Sequence, residues 1–225
     1  MKLGQRLTQL EKMVTGPFDH IWDCCCDHGL LGASLLSRKV GKTVHFVDIV
    51  EKLIDEVNAK LLRFYPHGAW QTHCLDVSLL PLEKYQGKQL IIIAGVGGDL
   101  MMDFVSALVK NHRAAELEFL LCPVYHQYAL RQRLIELELG LIDEVLVEDN
   151  QRFYEILHLS VYGEALANVH PVGDKLWQAN SEEEALRAQR YLHKTLAHYQ
   201  RIEKGGKVDV REEIAAYSAV CLDNG

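Results

Sequence analysis

No stretch of about 18 consecutive apolar residues occurs in this chain, so no membrane-spanning helix is expected. The opening Met-Lys-Leu-Gly-Gln-Arg-Leu lacks the apolar core of a secretion signal, which makes the cytoplasm the expected compartment. Positive charge is not in excess: 24 Lys and Arg stand against 31 Asp and Glu, a formal net charge of −7. That balance counts against a generic nucleic-acid binder while leaving room for a local basic patch. A disulfide framework is also missing. Three of the six cysteines, Cys24, Cys25 and Cys26, are consecutive and fall in an expected turn, so reduced thiols are the better reading. Contiguous thiolates do not converge easily on one ion, and no Cys-x2-Cys spacing exists; even with His28 and His73 in the chain, no metal site is expected. Internal repeats and low-complexity tracts are absent. Nothing sets the oligomeric state, and a monomer is the expectation.

What is present is the composition of a globular protein, 225 residues with 48% hydrophobic and 24% charged side chains, long enough for one sizeable core and a small appendage. Leu3, Leu7, Leu10, Met13 and Val14 recur at helical spacing, and Gly16-Pro17 ends that helix. A strand over Phe18–Trp22, an acidic turn and a helix to Arg38 follow. A second strand over Val44–Val50 precedes a helix over Glu51–Phe64, and a short strand over Ala69–Leu75 leads to Asp76. Gln89–Ala94 is a continuous apolar run of the kind found in central parallel strands. It feeds into Gly95-Val-Gly-Gly98 and a helix to Lys110. A strand over Glu118–Cys122, a helix ending at Gly140 and two runs, Leu141–Val147 and Phe153–Tyr162, joined by 148–152 as a hairpin, complete the pattern.

Strands alternating with helices in this way predict a doubly wound, seven-stranded, mostly parallel α/β sheet of Rossmann type, spanning 1–163. Residues 164–225 read as a C-terminal helical hairpin. Its long helix, Glu182–Lys204, separates an apolar face (Ala185, Ala188, Leu192, Leu196, Tyr199, Ile202) from a basic one (Arg187, Arg190, Lys194, His198, Arg201). Arg187, Arg190, Lys194 and Arg201 are the candidate RNA contacts.

The stretch around which the chain is organised is Ile21–Gly32, with Asp23 and Asp27 in the turn between strand and helix. Pyrophosphate-cradling turns need a G-x-G-x-x-G pattern, and here no glycine comes before Gly29, which disfavours a dinucleotide. A ligand with a ribose and an amino-acid end suits paired carboxylates better. S-adenosylmethionine is such a ligand: its ammonium seeks a carboxylate such as Asp23, its ribose diol seeks Asp48, and its adenine amine seeks Asp76. Ile49 and Val77 stand beside those two acids, and Ala94, Gly95 and Gly97 form the turn where the reacting group is expected. Gly97 and Gly98 are read as letting a planar base or the donor approach the backbone. The competing reading of Asp23 and Asp27 is that they cap the following helix.

These residues resemble the bacterial tRNA (adenine-N1)-methyltransferases that modify position 22. Asp23-Cys-Cys-Cys-Asp27-His28-Gly-Leu-Leu-Gly32 is similar to the first motif of that family, with Cys25 and Cys26 where the family has glycine and serine. Ile93-Ala-Gly-Val-Gly-Gly98 is similar to its glycine motif, Cys74–Val77 to its G-D-G-L segment, and Phe153-Tyr-Glu-Ile156 to its late motif; Cys122-Pro-Val124 departs from its Gln-Pro-Asn. The resemblance implies methyl transfer from S-adenosylmethionine to N1 of a tRNA adenine, with Asp27 stabilising the cation formed on the base and His28 as the second candidate. Two other functions stay open: a protein that binds the donor without turnover, or a methyltransferase with a different, non-tRNA acceptor. A nicotinamide-dependent dehydrogenase is disfavoured by the missing phosphate-binding glycines.

Overall fold

A computed structural model of the chain describes residues 3–112, 115–162 and 166–222. The expected border between the two regions, at 163 and 164, lies outside the described residues. The elements run α1 (Gln5–Met13), β1 (Phe18–Cys24), α2 (Leu30–Arg38), β2 (Gly41–Asp48), α3 (Glu51–Phe64), β3 (Trp70–Cys74), β4 (Gln89–Ala94), α4 (Gly98–Asn111), β5 (Leu117–Cys122), α5 (Gln127–Glu136), β6 (Gly140–Asp149), β7 (Arg152–Ser160), β8 (Ala167–Asn168), α6 (Glu182–Gly205) and α7 (Arg211–Ser218).

The strands form one sheet in the order β3-β2-β1-β4-β5-β7-β6-β8. The first five are parallel; β7 joins β5 antiparallel and pairs with β6 as a hairpin. The expected seven strands become eight, because Ala167–Asn168 adds a two-residue edge strand beside Gly140 and Leu141. A piece that short carries no readable alternation. The hairpin is tighter than the expected 148–152 link. Asp149 pairs with Arg152, and Asn150 and Gln151 turn the chain with φ of 50° and 63°, the left-handed pair that matches strand twist.

Alternation along the strands divides the apolar residues between two faces. On one face Ile21, Val44, Phe46, Leu90 and Ile92 pack with Leu10, Leu31, Leu35, Ile54, Val57 and Leu61, so α1, α2 and α3 cover that side. On the other, Trp22, Cys24, Val47, Ile91 and Ile93 pack with Met101, Phe104, Leu108, Leu130 and Leu134 of α4 and α5. The run Leu90–Ile93 therefore serves both cores in turn, as a strand buried on both sides must. The consecutive cysteines are split likewise: Cys24 joins one core and Cys26 the other.

The helical hairpin has its own small core. Tyr191, Tyr217, Ala188, Leu192 and Leu196 pack with Trp177, Tyr128 and Leu146, which seats α6 and α7 against α5 and β6. Ser181 caps α6 by accepting from the Glu184 N–H at 3.2 Å, three glutamates occupy the first turn, and Gly206 closes it in the left-handed conformation. No helix among the described residues is long and apolar enough to cross a membrane.

Candidate active site at the carboxyl ends of the strands

The chain runs from β1 out to β2 and β3, then returns to β4 on the other side of β1. The order therefore reverses between β1 and β4, and the crevice beyond the carboxyl ends at that point is where open α/β sheets receive ligands. Asp48 ends β2 at that edge, and Asp27, Asp76 and Gly95 lie on the loops that follow β1, β3 and β4.

The first turn is under backbone strain. Cys25, Asp27 and Gly29 have φ of 55°, 49° and 68°, so two of the three left-handed positions carry side chains. Cys25, standing where the resembled family has glycine, takes a conformation suited to glycine. Asp48 ties the turn down: its Oδ2 accepts from the Asp27 N–H at 3.2 Å, and its Oδ1 accepts from the Val50 N–H at 3.0 Å at the start of α3. Asp27 is then presented outward, its side chain 68% exposed, with His28 Nε2 3.6 Å from its Oδ1.

Asp23 makes a structural contact within this turn. It is buried, and its Oδ2 accepts from the Gly32 N–H at 2.8 Å, which binds β1 to the first turn of α2. Burial pushes its pKa up to about 7 against the effect of that hydrogen bond. That contact is the helix-capping one, whereas Asp27 is the exposed carboxylate of the turn.

Asp76 caps the 3-10 turn Val77–Leu79, its Oδ1 accepting from both the N–H (2.8 Å) and the hydroxyl (2.6 Å) of Ser78. Ile49, 67% exposed, offers an apolar surface between Asp48 and this turn, whereas Val77 is buried under it. Gly95, with φ of 88°, turns the chain at the end of β4, and its N–H donates to Cys122 O at 3.2 Å.

Gly97 and Gly98 are glycines for a packing reason. A Cβ on Gly97 would collide with the Tyr125 ring, and one on Gly98 would lie 2.7 Å from His126 O. The close approach seen here is that of the loop after β5.

A family model for a methyltransferase domain matches residues 3–157. The chain belongs to that methyltransferase family.

The same fold is found in solved structures of low sequence identity. TrmK of M. capricolum, in complex with S-adenosyl-homocysteine, has 16% identity and a TM-score of 0.72, covering 97% of this chain and 94% of its own. The B. subtilis M1A22 tRNA methyltransferase TrmK has 18% identity and a TM-score of 0.68 over 96% and 94%. Sp1610 of Streptococcus pneumoniae, in complex with S-adenosyl-L-methionine, has 17% identity and a TM-score of 0.70 over 96% and 98%. No curated protein matches the chain.

On the methyltransferase fold a second concavity begins at the end of β5. A cleft of about 650 Å³ runs between the 124–129 segment, the start of β7 and the hairpin helices. Tyr125, Phe153, Tyr154 and Tyr199 supply aromatic surface to it, and Arg152, Lys194, His198 and Arg201 supply basic groups. Lys194 Nζ lies 5.4 Å from the Phe153 ring centre.

The basic stripe of α6 is therefore divided by the fold. Lys194 and Arg201 line this cleft. Arg190 is paired with Glu148 through both terminal nitrogens, and Arg187 reaches Glu183 at 2.9 Å and lines a separate hollow beside β6. Helical spacing placed all four on one side, but acidic partners from β6 and from the preceding turn occupy two of them. The cleft itself was hidden in the sequence because its lining comes from four separate segments.

Proposed function

We propose that this methyltransferase transfers a methyl group from S-adenosylmethionine to N1 of an adenine in tRNA. The observation that carries the reading is the row of carboxylates Asp76, Asp48 and Asp27 at the ends of three adjacent parallel strands, with an aromatic and basic cleft beside them. The residues fit the donor. Asp48 and Asp76 suit a ribose diol and an adenine amine, Ile49 gives the base an apolar seat, and Gly95 leaves room over the end of β4. S-adenosylmethionine supplies an electrophilic methyl group when bound.

Adenine N1 carries its own lone pair, so no base is needed to activate it; methylation leaves a positive charge on the ring. Asp27, exposed and fixed through its main chain to Asp48, is the carboxylate available to stabilise that charge, with His28 beside it. In a paired stem N1 is inaccessible, so the adenine must leave its stack. The cleft at the end of β5 offers rings on which a displaced nucleotide can stack and cations for its phosphates. The described protein, with no helix suited to a membrane, works as a soluble enzyme of the cytoplasm on this reading.

The test is transfer of labelled methyl from S-adenosylmethionine to bulk tRNA from a strain lacking this protein, followed by nucleoside analysis. N1-methyladenosine is the expected product. Asp27→Asn should lower kcat by about 100-fold with donor affinity nearly unchanged. Donor binding without transfer to any RNA would give the fold a different acceptor.

A further inference from the structure

The amino-terminal helix brings a cation to the end of β4. The main-chain N–H of Arg6 donates to Asp149 Oδ2 at 3.3 Å, which anchors the start of α1 to the end of β6. Its guanidinium lies over the Tyr154 ring, 5.0 Å from the centre. Both terminal nitrogens, Nη1 and Nη2, are 3.8 Å from the position a Cβ would take on Gly95. Arg6 is thus spread over the turn that closes β4, its two donors side by side.

No ion pair involves Arg6 among the described residues. Cys122, at the end of the neighbouring strand, is a neutral thiol because burial pushes its pKa up to about 12, with the Arg6 charge acting in the opposite direction. The forked group is half-buried, always charged, and aimed at the crevice.

Strand order says which end of a ligand meets it. Asp76 follows β3, Asp48 ends β2, Asp27 follows β1 and Gly95 follows β4. Three strand spacings separate the first from the last, about 14 Å. A donor with its adenine at Asp76 and its ribose at Asp48 lays its amino-acid tail towards β1 and β4. The tail's carboxylate would be repelled by every acidic group along the edge, and Arg6 is the cation within its reach.

We propose that Arg6 receives the terminal carboxylate of the donor, its two terminal nitrogens bridging the two oxygens while Tyr154 holds the guanidinium plane. The inference rests on the S-adenosylmethionine reading above. It gives α1 a task in the site, although α1 lies outside the motif that organises the turn.

Calorimetry on the full chain tests it with two ligands: S-adenosylhomocysteine, and 5′-methylthioadenosine, which keeps the nucleoside and sulfur but has no carboxylate. Arg6→Gln should weaken the first by about 10- to 100-fold, the range of a charge-assisted pair, and leave the second unchanged. Arg6→Lys should recover part of the loss. Unchanged S-adenosylhomocysteine affinity in Arg6→Gln overturns the assignment, and a fall in tRNA affinity alongside it would mean that the guanidinium serves a phosphate of the acceptor. Equal weakening of both ligands also overturns it, since the side chain would then be supporting the turn. Failure of the unaltered protein to bind either ligand would instead sink the donor reading itself.

Discussion

At the scale of single residues, Arg131 is the side chain on which the most structure converges. It is fully buried on α5. Its Nε donates to Glu155 Oε2 at 2.6 Å and its Nη2 to Glu144 Oε2 at 2.7 Å, while Nη1 reaches His170 O at 3.1 Å. Glu144 also accepts the Asp174 and Lys175 N–H groups, and Glu155 accepts the Tyr191 hydroxyl of α6. Burial opposes the charge on Arg131, yet the two carboxylates together hold its pKa above the ordinary value. One guanidinium therefore joins α5, the β6–β7 hairpin, the 170–175 segment and the helical hairpin. Arg131→Met leaves two buried carboxylates uncompensated and should cost about 3–5 kcal/mol in urea unfolding. Arg133→Met, which breaks an exposed pair with Glu136, should cost less than about 1 kcal/mol. Equal losses would mean that the network is not what seats the hairpin. None of this was legible beforehand: Arg131 lies in a run, Leu-Arg-Gln-Arg-Leu, that reads as the solvated side of a helix, and its partners are 13 and 24 residues away.

At the scale of elements, β1, β2 and β3 each place one histidine on the same face of the sheet, forming a hydrogen-bonded row. His20 Nδ1 lies 3.0 Å from His45 Nε2, and His45 Nδ1 lies 3.0 Å from His73 Nε2. The middle ring is fully buried and stacks on Trp22 at 3.9 Å. Burial, with His73 and His20 on either side, lowers the His45 pKa to about 3. A base whose folded pKa is depressed contributes its full stability above the unfolded value, about 6.5, and loses it as pH falls towards the folded one. His45 alone should then cost about 2 kcal/mol between pH 7 and pH 5. Asp23, with its raised pKa, works in the opposite direction, since the folded state holds its proton up to about pH 7. The comparison with His45→Phe isolates the histidine: the stability difference between the two proteins should shrink by about 2 kcal/mol over that range, measured by urea unfolding. A pH-independent difference would refute it. The strands themselves were legible, because Ile-Trp and Leu-Ile-Ile-Ile runs bounded by Gly, Pro and Asp carry the period and punctuation of buried parallel strands. The row was not, since strand order in space is β3-β2-β1 and only that order aligns positions 20, 45 and 73. The site divides similarly. Asp27, Asp48 and Asp76 were visible as acids following apolar runs, whereas Arg6, the proposed partner of the donor carboxylate, lies on a helix whose sequence shows only its packing face.

At the scale of the molecule, the proposed reaction on tRNA requires an acidic protein to meet a polyanion. The formal net charge is −7, but the cleft beside the candidate active site gathers Arg152, Lys194, His198 and Arg201 around aromatic rings. Long-range attraction is therefore weak, and binding depends on a few close contacts. Such contacts release counterions in proportion to the phosphates neutralised, with a log–log slope of about −0.7 per phosphate for single strands. Three cationic side chains with permanent charge, Arg152, Lys194 and Arg201, give an expected slope near about −2 for tRNA affinity against salt. A Lys194→Gln, Arg201→Gln double variant should make that slope less negative by about 1.4 and raise the tRNA KM, with S-adenosylhomocysteine affinity unchanged. Arg187→Gln should leave both nearly as they are, because that side chain is spent on Glu183. The contrast matters more than either number. If Arg187→Gln weakened tRNA binding as much as the double variant does, the acceptor would be tracking the start of α6 beside β6 rather than the cleft. The reacting adenine would then have to reach Asp27 by a path that does not pass Tyr125 and Phe153.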